Sequence, residues 1–197
     1  MSDDIDNKYI KIVLIGETGT GKTNLINVYF GIKFENNVES TLTPESCSKD
    51  LKINGSNFLI NIWDTAGQEK YRSMTKIFLK GAKIVILVYD ITNKNSFDEL
   101  NFWIKSVEEL LGTEPTLGLV GNKIDLFDKQ QVSKEEGKKL ANEIGAVFAE
   151  TSAKEDAKGF QDYITKVVET FLTKKGIASN EKQTIELGDK KNKKACC

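Results

Sequence analysis

Gly16-Glu17-Thr18-Gly19-Thr20-Gly21-Lys22-Thr23 is the stretch whose reading decides the fold. It satisfies the spacing G-x-x-x-x-G-K-S/T. It follows the apolar run 10–15, interrupted only by Lys11, and precedes a segment, 24–31, whose apolar residues recur at helical spacing. A strand before and a helix after separate a phosphate-binding loop from an ordinary Gly-rich turn. Gly19 and Gly21 let backbone amides turn inward around phosphate oxygens, as do the amides that open the helix. Lys22 can then reach the β- and γ-phosphates, and the Thr23 hydroxyl can face Mg²⁺. The loop points to a nucleoside triphosphate and leaves the base open.

The base is read from Asn122-Lys123-Ile124-Asp125, which follows the short apolar run 117–121. Ligands of open α/β sheets gather at the carboxyl ends of strands, so this tetrapeptide faces the same crevice as the phosphate loop. Asp125 can accept two hydrogen bonds, from N1–H and the 2-amino group of guanine. Adenine lacks that donor pair and would leave the carboxylate unpaired, a mismatch by which polar sites discriminate strongly. Asn122 can tie the loop to neighbouring strands, and the Lys123 stem can lie along the base.

A third segment joins these two. The run 58–63 reads as a strand, and Asp64-Thr65-Ala66-Gly67-Gln68-Glu69 follows it. Asp64 stands where a carboxylate could hold Mg²⁺ through water. Gly67 offers an unobstructed amide to a γ-phosphate, and Gln68 could orient an attacking water.

With these motifs in order, residues 9–171 resemble the Ras-like small GTPases and, among them, the Rab proteins. The motifs are GETGTGKT, a threonine at Thr41, WDTAGQE, GNKID and ETSAK, with VYDIT at 88–92. The resemblance implies GTP and GDP as ligands, Mg²⁺ as the metal, and slow GTP hydrolysis as the reaction. It implies a nucleotide cradle of Glu17, Thr18, Gly19, Thr20, Gly21, Lys22, Thr23 and Asn24. Phe34 packs on the guanine edge, and Thr41 closes onto Mg²⁺ and the γ-phosphate. Thr23, Thr41 and Asp64 form the metal set. Asn122, Lys123 and Asp125 read the base, supported by Ser152, Ala153 and Lys154. Gln68 and Lys22 are the catalytic residues. An exchange factor, a GTPase-activating protein, a GDP-dissociation inhibitor, a prenylation escort and effectors are the implied partners of a monomer.

Composition excludes several other classes. The chain has 197 residues, enough for one domain with a full core. Net charge is −1, so no general affinity for nucleic acid is indicated, and the absence of histidine removes imidazole chemistry. No run of 18 apolar residues suggests a membrane-spanning helix. Three cysteines, two of them adjacent at the terminus, do not make a disulfide framework. The acidic segment 1–8 is unlike a secretory signal or transit peptide. Arg72 is the sole arginine and lies just past Gln68. It is poorly placed as an arginine finger in cis, so slow intrinsic hydrolysis that depends on an activating protein is expected.

Alternating strands and helices predict an α/β fold: a mostly parallel six-stranded sheet of the phosphate-loop G-domain type, one antiparallel edge strand, and helices on both faces. Strands are expected at 9–15, 46–53, 56–63, 83–89, 116–120 and 146–151. The second and third form a hairpin closed by Asn54-Gly55. Helices are expected at 22–31, 73–80, 96–111, 134–144 and 159–172, the fourth opened by a Ser133/Glu136 capping box. Phe97, Leu100, Trp103, Ile104 and Val107 share a helical face and read as core, with no ligand role for Trp103. The layout is a flexible N-terminus at 1–8, a nucleotide-binding domain at 9–173 and a disordered tail at 174–197.

The segments 34–46 and 64–75 flank the γ-phosphate position and are expected to be held by it and released on hydrolysis. One departure from the Rab pattern falls here. Thr43 replaces a glycine, Ser46 stands where an aromatic is usual, and Pro44 biases Thr43 toward an extended conformation. Trp63 and Phe78, the other aromatics of that surface, are present. A guanine-nucleotide scaffold that does not switch is therefore the alternative reading. The tail ends Lys190-Lys191-Asn192-Lys193-Lys194-Ala195-Cys196-Cys197. It does not fit C-a-a-X, but a terminal Cys-Cys matches the Rab pattern for two geranylgeranyl groups. Two lipid chains with a lysine cluster give stable anchoring. The expected location is the cytoplasmic face of an intracellular membrane, cycling with a soluble cytosolic pool.

Overall fold

The structure is a computed structural model and describes residues 8–36, 41, 45–65 and 77–177. Strand β1, Tyr9–Ile15, lies at the middle of the sheet, and Ile10 and the run Ile12–Ile15 are buried. Nearly unbroken apolar runs belong to parallel strands covered on both faces, and β4, Ile84–Asp90, is buried at every position. Strands β2 (Glu45–Ile53), β3 (Ser56–Asp64), β5 (Thr116–Asn122) and β6 (Val147–Glu150) complete a six-stranded sheet of order β2-β3-β1-β4-β5-β6. All its pairings are parallel except β2 with β3, which pair antiparallel from Glu45↔Asp64 to Ile53↔Ser56. Asn54 and Gly55 close that hairpin with φ of 50° and 90°. Two successive positive φ angles define the type I′ turn, whose twist matches its flanking strands.

The α-helices with both ends described are α1 (Lys22–Tyr29), α2 (Lys94–Asp98), α3 (Leu100–Leu111), α4 (Lys134–Glu143) and α5 (Ala157–Lys174). One core cluster joins Leu25 and Tyr29 of α1 and Phe160, Ile164 and Val168 of α5 to Ile10, Ile12, Ile60 and Ile86. The other joins Leu100, Trp103 and Val107 of α3 and Ala141 of α4 to Val13, Val85, Leu87 and Leu119. Successive strand residues point to opposite faces, so β1, β3, β4, β5 and β6 feed both cores, while β2 gives only Leu51 and Ile53 to the first. The Ser133/Glu136 capping box is formed in full, with Glu136 N donating to Ser133 Oγ and Ser133 N to Glu136 Oε2.

Three expectations are corrected. The helix expected at 96–111 starts at Lys94 and is divided at Glu99. Asn93 caps it by accepting from Ser96 N, so the first turn begins two residues before the expected Ser96. Helix α1 ends at Tyr29, not at 31. A 3-10 helix, Ile124–Lys129, follows β5 where only a loop was foreseen. Of the helix expected at 73–80, residues 77–79 are helical and 73–76 lie outside the described residues.

The strand order reverses direction about β1, with β3 on one side and β4 on the other. The crevice beyond the carboxyl ends of β1, β3 and β5 is therefore where a ligand would settle. No helix among the described residues is long and apolar enough to cross a membrane.

Candidate functional site

Helix α1 begins without a side-chain cap. Its N-cap is Gly21 at φ 89°, and its first turn carries no acidic residue. The leading amides of a helix have no partner within it, so an anion is the natural complement here. Gly21 could not be larger: a Cβ there would lie 2.4 Å from Asn122 Nδ2. Asn122 occupies that space because it donates to the Thr20 carbonyl at 2.8 Å and accepts from Ala153 N at 3.1 Å. One side chain thus joins the phosphate loop to the turn after β6.

Lys22 folds along the loop it belongs to. Its ammonium donates at 2.8 Å to the carbonyls of both Gly16 and Glu17, leaving a third N–H for a phosphate oxygen. Burial lowers its pKa to about 8, and the nearby carboxylates of Asp64 and Glu17 partly offset that fall. Thr20 Oγ1 donates to the Glu17 carbonyl at 2.9 Å, so that hydroxyl is used inside the loop.

Oxygens gather beside the start of α1. Thr23 Oγ1 donates to Asp64 Oδ2 at 2.7 Å and Thr41 Oγ1 does so at 3.0 Å, while the two hydroxyls are 3.0 Å apart. Adjacent ligands of an octahedral Mg²⁺, each bound at about 2.1 Å, are separated by about 3 Å. The second oxygen of Asp64, Oδ1, is buried without a hydrogen-bond partner. Three hard oxygens at this spacing, with an orphaned carboxylate oxygen, fit a divalent cation.

The other end of the crevice is built for a flat ring. Ser152 Oγ donates to Asp125 Oδ1 at 2.6 Å and accepts from Lys154 N and Glu155 N, each at 3.1 Å. Asp125 is thereby aimed and keeps its other oxygen for a ligand. Lys123 Nζ donates to the Gly19 carbonyl at 2.6 Å and pairs with Asp90 Oδ2 at 2.6 Å. Phe34 is half-buried against the α1–α5 core, and Asn24 pins its neighbour Glu35 through both backbone groups.

Between these ends lies a cavity of about 390 Å³, in the range of small-molecule sites. Among residues expected from sequence, Thr18, Gly19, Gly21, Lys22, Thr23, Asn24, Phe34, Thr41, Asn122, Lys123, Asp125, Ala153 and Lys154 line it. Asn36, Thr65 and Leu126 line it as well and were not anticipated. Glu17 and Thr20 are buried in the loop behind the cavity, and Asp64 and Ser152 act on lining residues. Gly67 and Gln68, like Arg72, Leu42 to Pro44, Cys196 and Cys197, lie outside the described residues.

A phosphate loop at the switch point of a six-stranded sheet, facing a carboxylate set for a guanine edge and an oxygen trio set for Mg²⁺, defines a guanine-nucleotide-binding fold. Residues 11–173 match the Ras family model. The chain is 38% identical over 178 residues to "Ras-related protein Rab-8B" of Homo sapiens, covering 90% of this chain and 86% of that protein. It is 37% identical over 187 residues to "Ras-related protein RGP2" of Oryza sativa subsp. japonica, covering 92% and 86%. It is 42% identical over 144 residues to "Ras-related protein Rab-8A" of Bos taurus, covering 73% and 70%. The chain belongs to the Ras family of small GTPases, on its Rab branch. GTP and GDP with Mg²⁺ are its ligands, and GTP hydrolysis is its reaction.

Proposed function

We propose that the protein is a nucleotide-dependent switch in vesicle and membrane trafficking, whose two states differ in whether the segments 34–46 and 64–75 are held against the nucleotide. The observation that carries this reading is the placing of Thr41 within 3.0 Å of both Thr23 and Asp64. It joins the first of those segments to the start of α1 and the end of β3, through the atoms suited to Mg²⁺. Mg²⁺ there would neutralise charge on the phosphates. Lys22 and the loop amides hold the phosphoryl oxygens, where preorganised donors act most strongly on developing charge. The γ-phosphate, through Mg²⁺, would add to the hold that Thr23 and Asp64 have on Thr41, so hydrolysis loosens that segment. Gln68 and Gly67 are assigned to the attacking water and the γ-phosphate. Asn122, Lys123 and Asp125, backed by Ser152 to Lys154, hold guanine against Phe34.

Residues 9–173 form the nucleotide domain in this reading, with α5 carrying it one residue further, to Lys174, before the tail. Cys196 and Cys197 carry two geranylgeranyl groups that attach the protein to the cytoplasmic face of an intracellular membrane. A prenylation escort, a GDP-dissociation inhibitor, an exchange factor, an activating protein and effectors of the GTP form complete the cycle.

The test is single-turnover hydrolysis of preloaded GTP with Mg²⁺, wild type beside Gln68→Leu. Slow turnover abolished by the substitution is expected. No turnover in either protein would sink the role of Gln68 and favour a scaffold that holds GTP without switching. One observation favours that second reading. Ser46 is exposed and faces Trp63 across the hairpin, so the Trp63–Phe78 pair, at 5.6 Å between ring centroids, lacks a third aromatic. Lys11 Nζ instead sits 4.6 Å over the Trp63 ring. Effector pull-downs that do not distinguish GDP from GTP would support the scaffold.

A further inference from the structure

Trp103 sits on α3, far from the phosphate loop in sequence, and its indole is 1% exposed. A buried indole N–H needs an acceptor, since water cannot reach it. The acceptor is Glu17 Oε1 at 3.3 Å, across 86 positions of the chain. Glu17 is itself 8% exposed and is the second residue of the phosphate loop. Its backbone carbonyl accepts from both Lys22 Nζ and Thr20 Oγ1. The residue whose side chain is tied to α3 is therefore the one whose backbone sets the resting place of the lysine.

We propose that Glu17 and Trp103 form a positioning pair, in which the α3 indole fixes the phosphate loop and so sets how long guanine nucleotide stays bound. Trp103 touches no nucleotide in this arrangement and acts through Glu17. The ring anchors in a rigid place: Phe102 meets it edge-on at 5.2 Å between centroids, and it packs in the α3–α4 core. A loop carbonyl held from that core keeps Lys22 aimed at phosphate. The Glu17 carboxylate also supplies negative charge beside the Lys22 ammonium, opposing the effect of burial. The inference rests on nucleotide binding and is independent of whether the protein switches.

The experiment follows release of fluorescently labelled GDP from wild type, Trp103→Phe, Glu17→Ala and the double variant. Phenylalanine keeps an aromatic ring and removes the N–H. Release about tenfold faster is expected for Trp103→Phe, the scale of one hydrogen bond to a charged group. The double variant should release no faster than the faster single variant, because either change breaks the same contact. Glu17→Gln, which keeps an acceptor oxygen, should restore part of what Glu17→Ala loses. Wild-type release from Trp103→Phe, or single effects that multiply in the double variant, would overturn the proposal. A merely structural tryptophan would lower the melting temperature and act independently of Glu17. Should Trp103→Phe fail to fold, Trp63→Phe leaves Trp103 as the sole tryptophan. Its emission should shift when GDP is stripped, and an unchanged spectrum counts against the pair. Wild-type protein that fails to load labelled GDP would indict the nucleotide assignment and not the pair.

Discussion

Lys123 Nζ lies 2.6 Å from Asp90 Oδ2, and its backbone is held at φ 70°, a left-handed conformation that lysine rarely adopts. Asp90 is fixed in turn, since its Oδ1 accepts from both the amide and the hydroxyl of Thr92. The last residue of β4 thus aims the lysine that follows β5, and the lysine reaches the Gly19 carbonyl at 2.6 Å. A strained backbone persists only where its surroundings determine it, and here the ion pair and the Gly19 bond do so.

Asp90→Asn keeps the shape of this contact and removes its charge. The Asp90 side chain is 9% exposed and that of Lys123 is 31%, so solvent screens part of the loss. The expected cost to nucleotide affinity is about 1–2 kcal/mol, below the range for fully buried charge pairs. Labelled GDP should therefore leave about tenfold faster, by the usual conversion of free energy to rate. Release at the wild-type rate would mean that the Gly19 carbonyl alone suffices to hold Lys123.

The glycines of the crevice should differ sharply in tolerance. A Cβ on Gly16 would lie 2.1 Å from the Val88 carbonyl oxygen, a backbone atom of β4 that cannot move aside. Gly16→Ala should cost more than about 4 kcal/mol, in the range of exceptional substitutions. Gly19 has φ 76° and open space around its Cβ position, so Gly19→Ala should cost only the left-handed strain, about 1–2 kcal/mol. Urea denaturation of the two variants checks the order. Near-equal midpoints would contradict it.

Gly137 tests packing against propensity. It lies inside α4, where alanine is intrinsically preferred by about 1 kcal/mol. A Cβ there would lie 2.4 Å from the buried Tyr89 hydroxyl and 2.8 Å from the Phe148 ring. Overpacking of this kind costs about 1–3 kcal/mol. Gly137→Ala should lower the melting temperature, and a raised one would show that the helix yields without strain.

What sequence reading captured and what it missed divide along one line. Gly19, Gly21, Lys22 and Thr23 sit within one local motif, as do Asn122, Lys123 and Asp125, so their spacing alone points to their chemistry. The alternation of apolar runs also gave the sheet and its hairpin. Asp90 and Trp103 join the site only through contacts between distant elements. Trp103 shares a helical face with core residues, and periodicity cannot distinguish a tryptophan that merely packs from one whose N–H meets the phosphate loop. Asn36, Thr65 and Leu126 enter the cavity through the courses of 32–36, the end of β3 and the 3-10 helix. The first and last of those courses have no sequence period, and Thr65 lies one residue past the strand that has one. The helix start at Lys94 lies ahead of Phe97, the first apolar residue of that face, so periodicity does not mark it.

Ser152 and Asp125 make a separable pair of predictions. Asp125→Asn exchanges an acceptor-only group for one that also donates, so preference should pass from guanine to xanthine nucleotides. An ATPase or kinase of the same phosphate-loop class would show no such exchange. Ser152→Ala leaves the guanine-reading carboxylate in place and removes the donor 2.6 Å from Oδ1. Affinity for GDP should fall by about 1.5–3 kcal/mol, the scale of a hydrogen bond to a charged group, with guanine still preferred. Isothermal titration with GDP and XDP separates the two effects. Loss of base preference in Ser152→Ala would mean that the serine does more than orient Asp125.

Lys22 links nucleotide binding to pH. Burial lowers its pKa in the folded chain to about 8, against the ordinary lysine value of 10.5. Between those values the unfolded chain binds more protons than the folded one, so stability of the nucleotide-free protein should rise as pH increases from about 8 to 10.5. Below pH 8 the ammonium is charged in both states and this gain is absent. Phosphate oxygens beside Lys22 favour the charged form and raise its pKa again. GDP binding should therefore take up a proton above about pH 8 and weaken as pH increases, while binding near pH 7 takes up almost none. Calorimetry in buffers of different ionisation enthalpy measures that uptake directly. Lys22→Met should abolish the uptake that begins near pH 8 and the rise in stability, leaving only uptake at the guanine N1–H that Asp125 reads. Uptake near pH 8 that persists in Lys22→Met would assign the titration to another group.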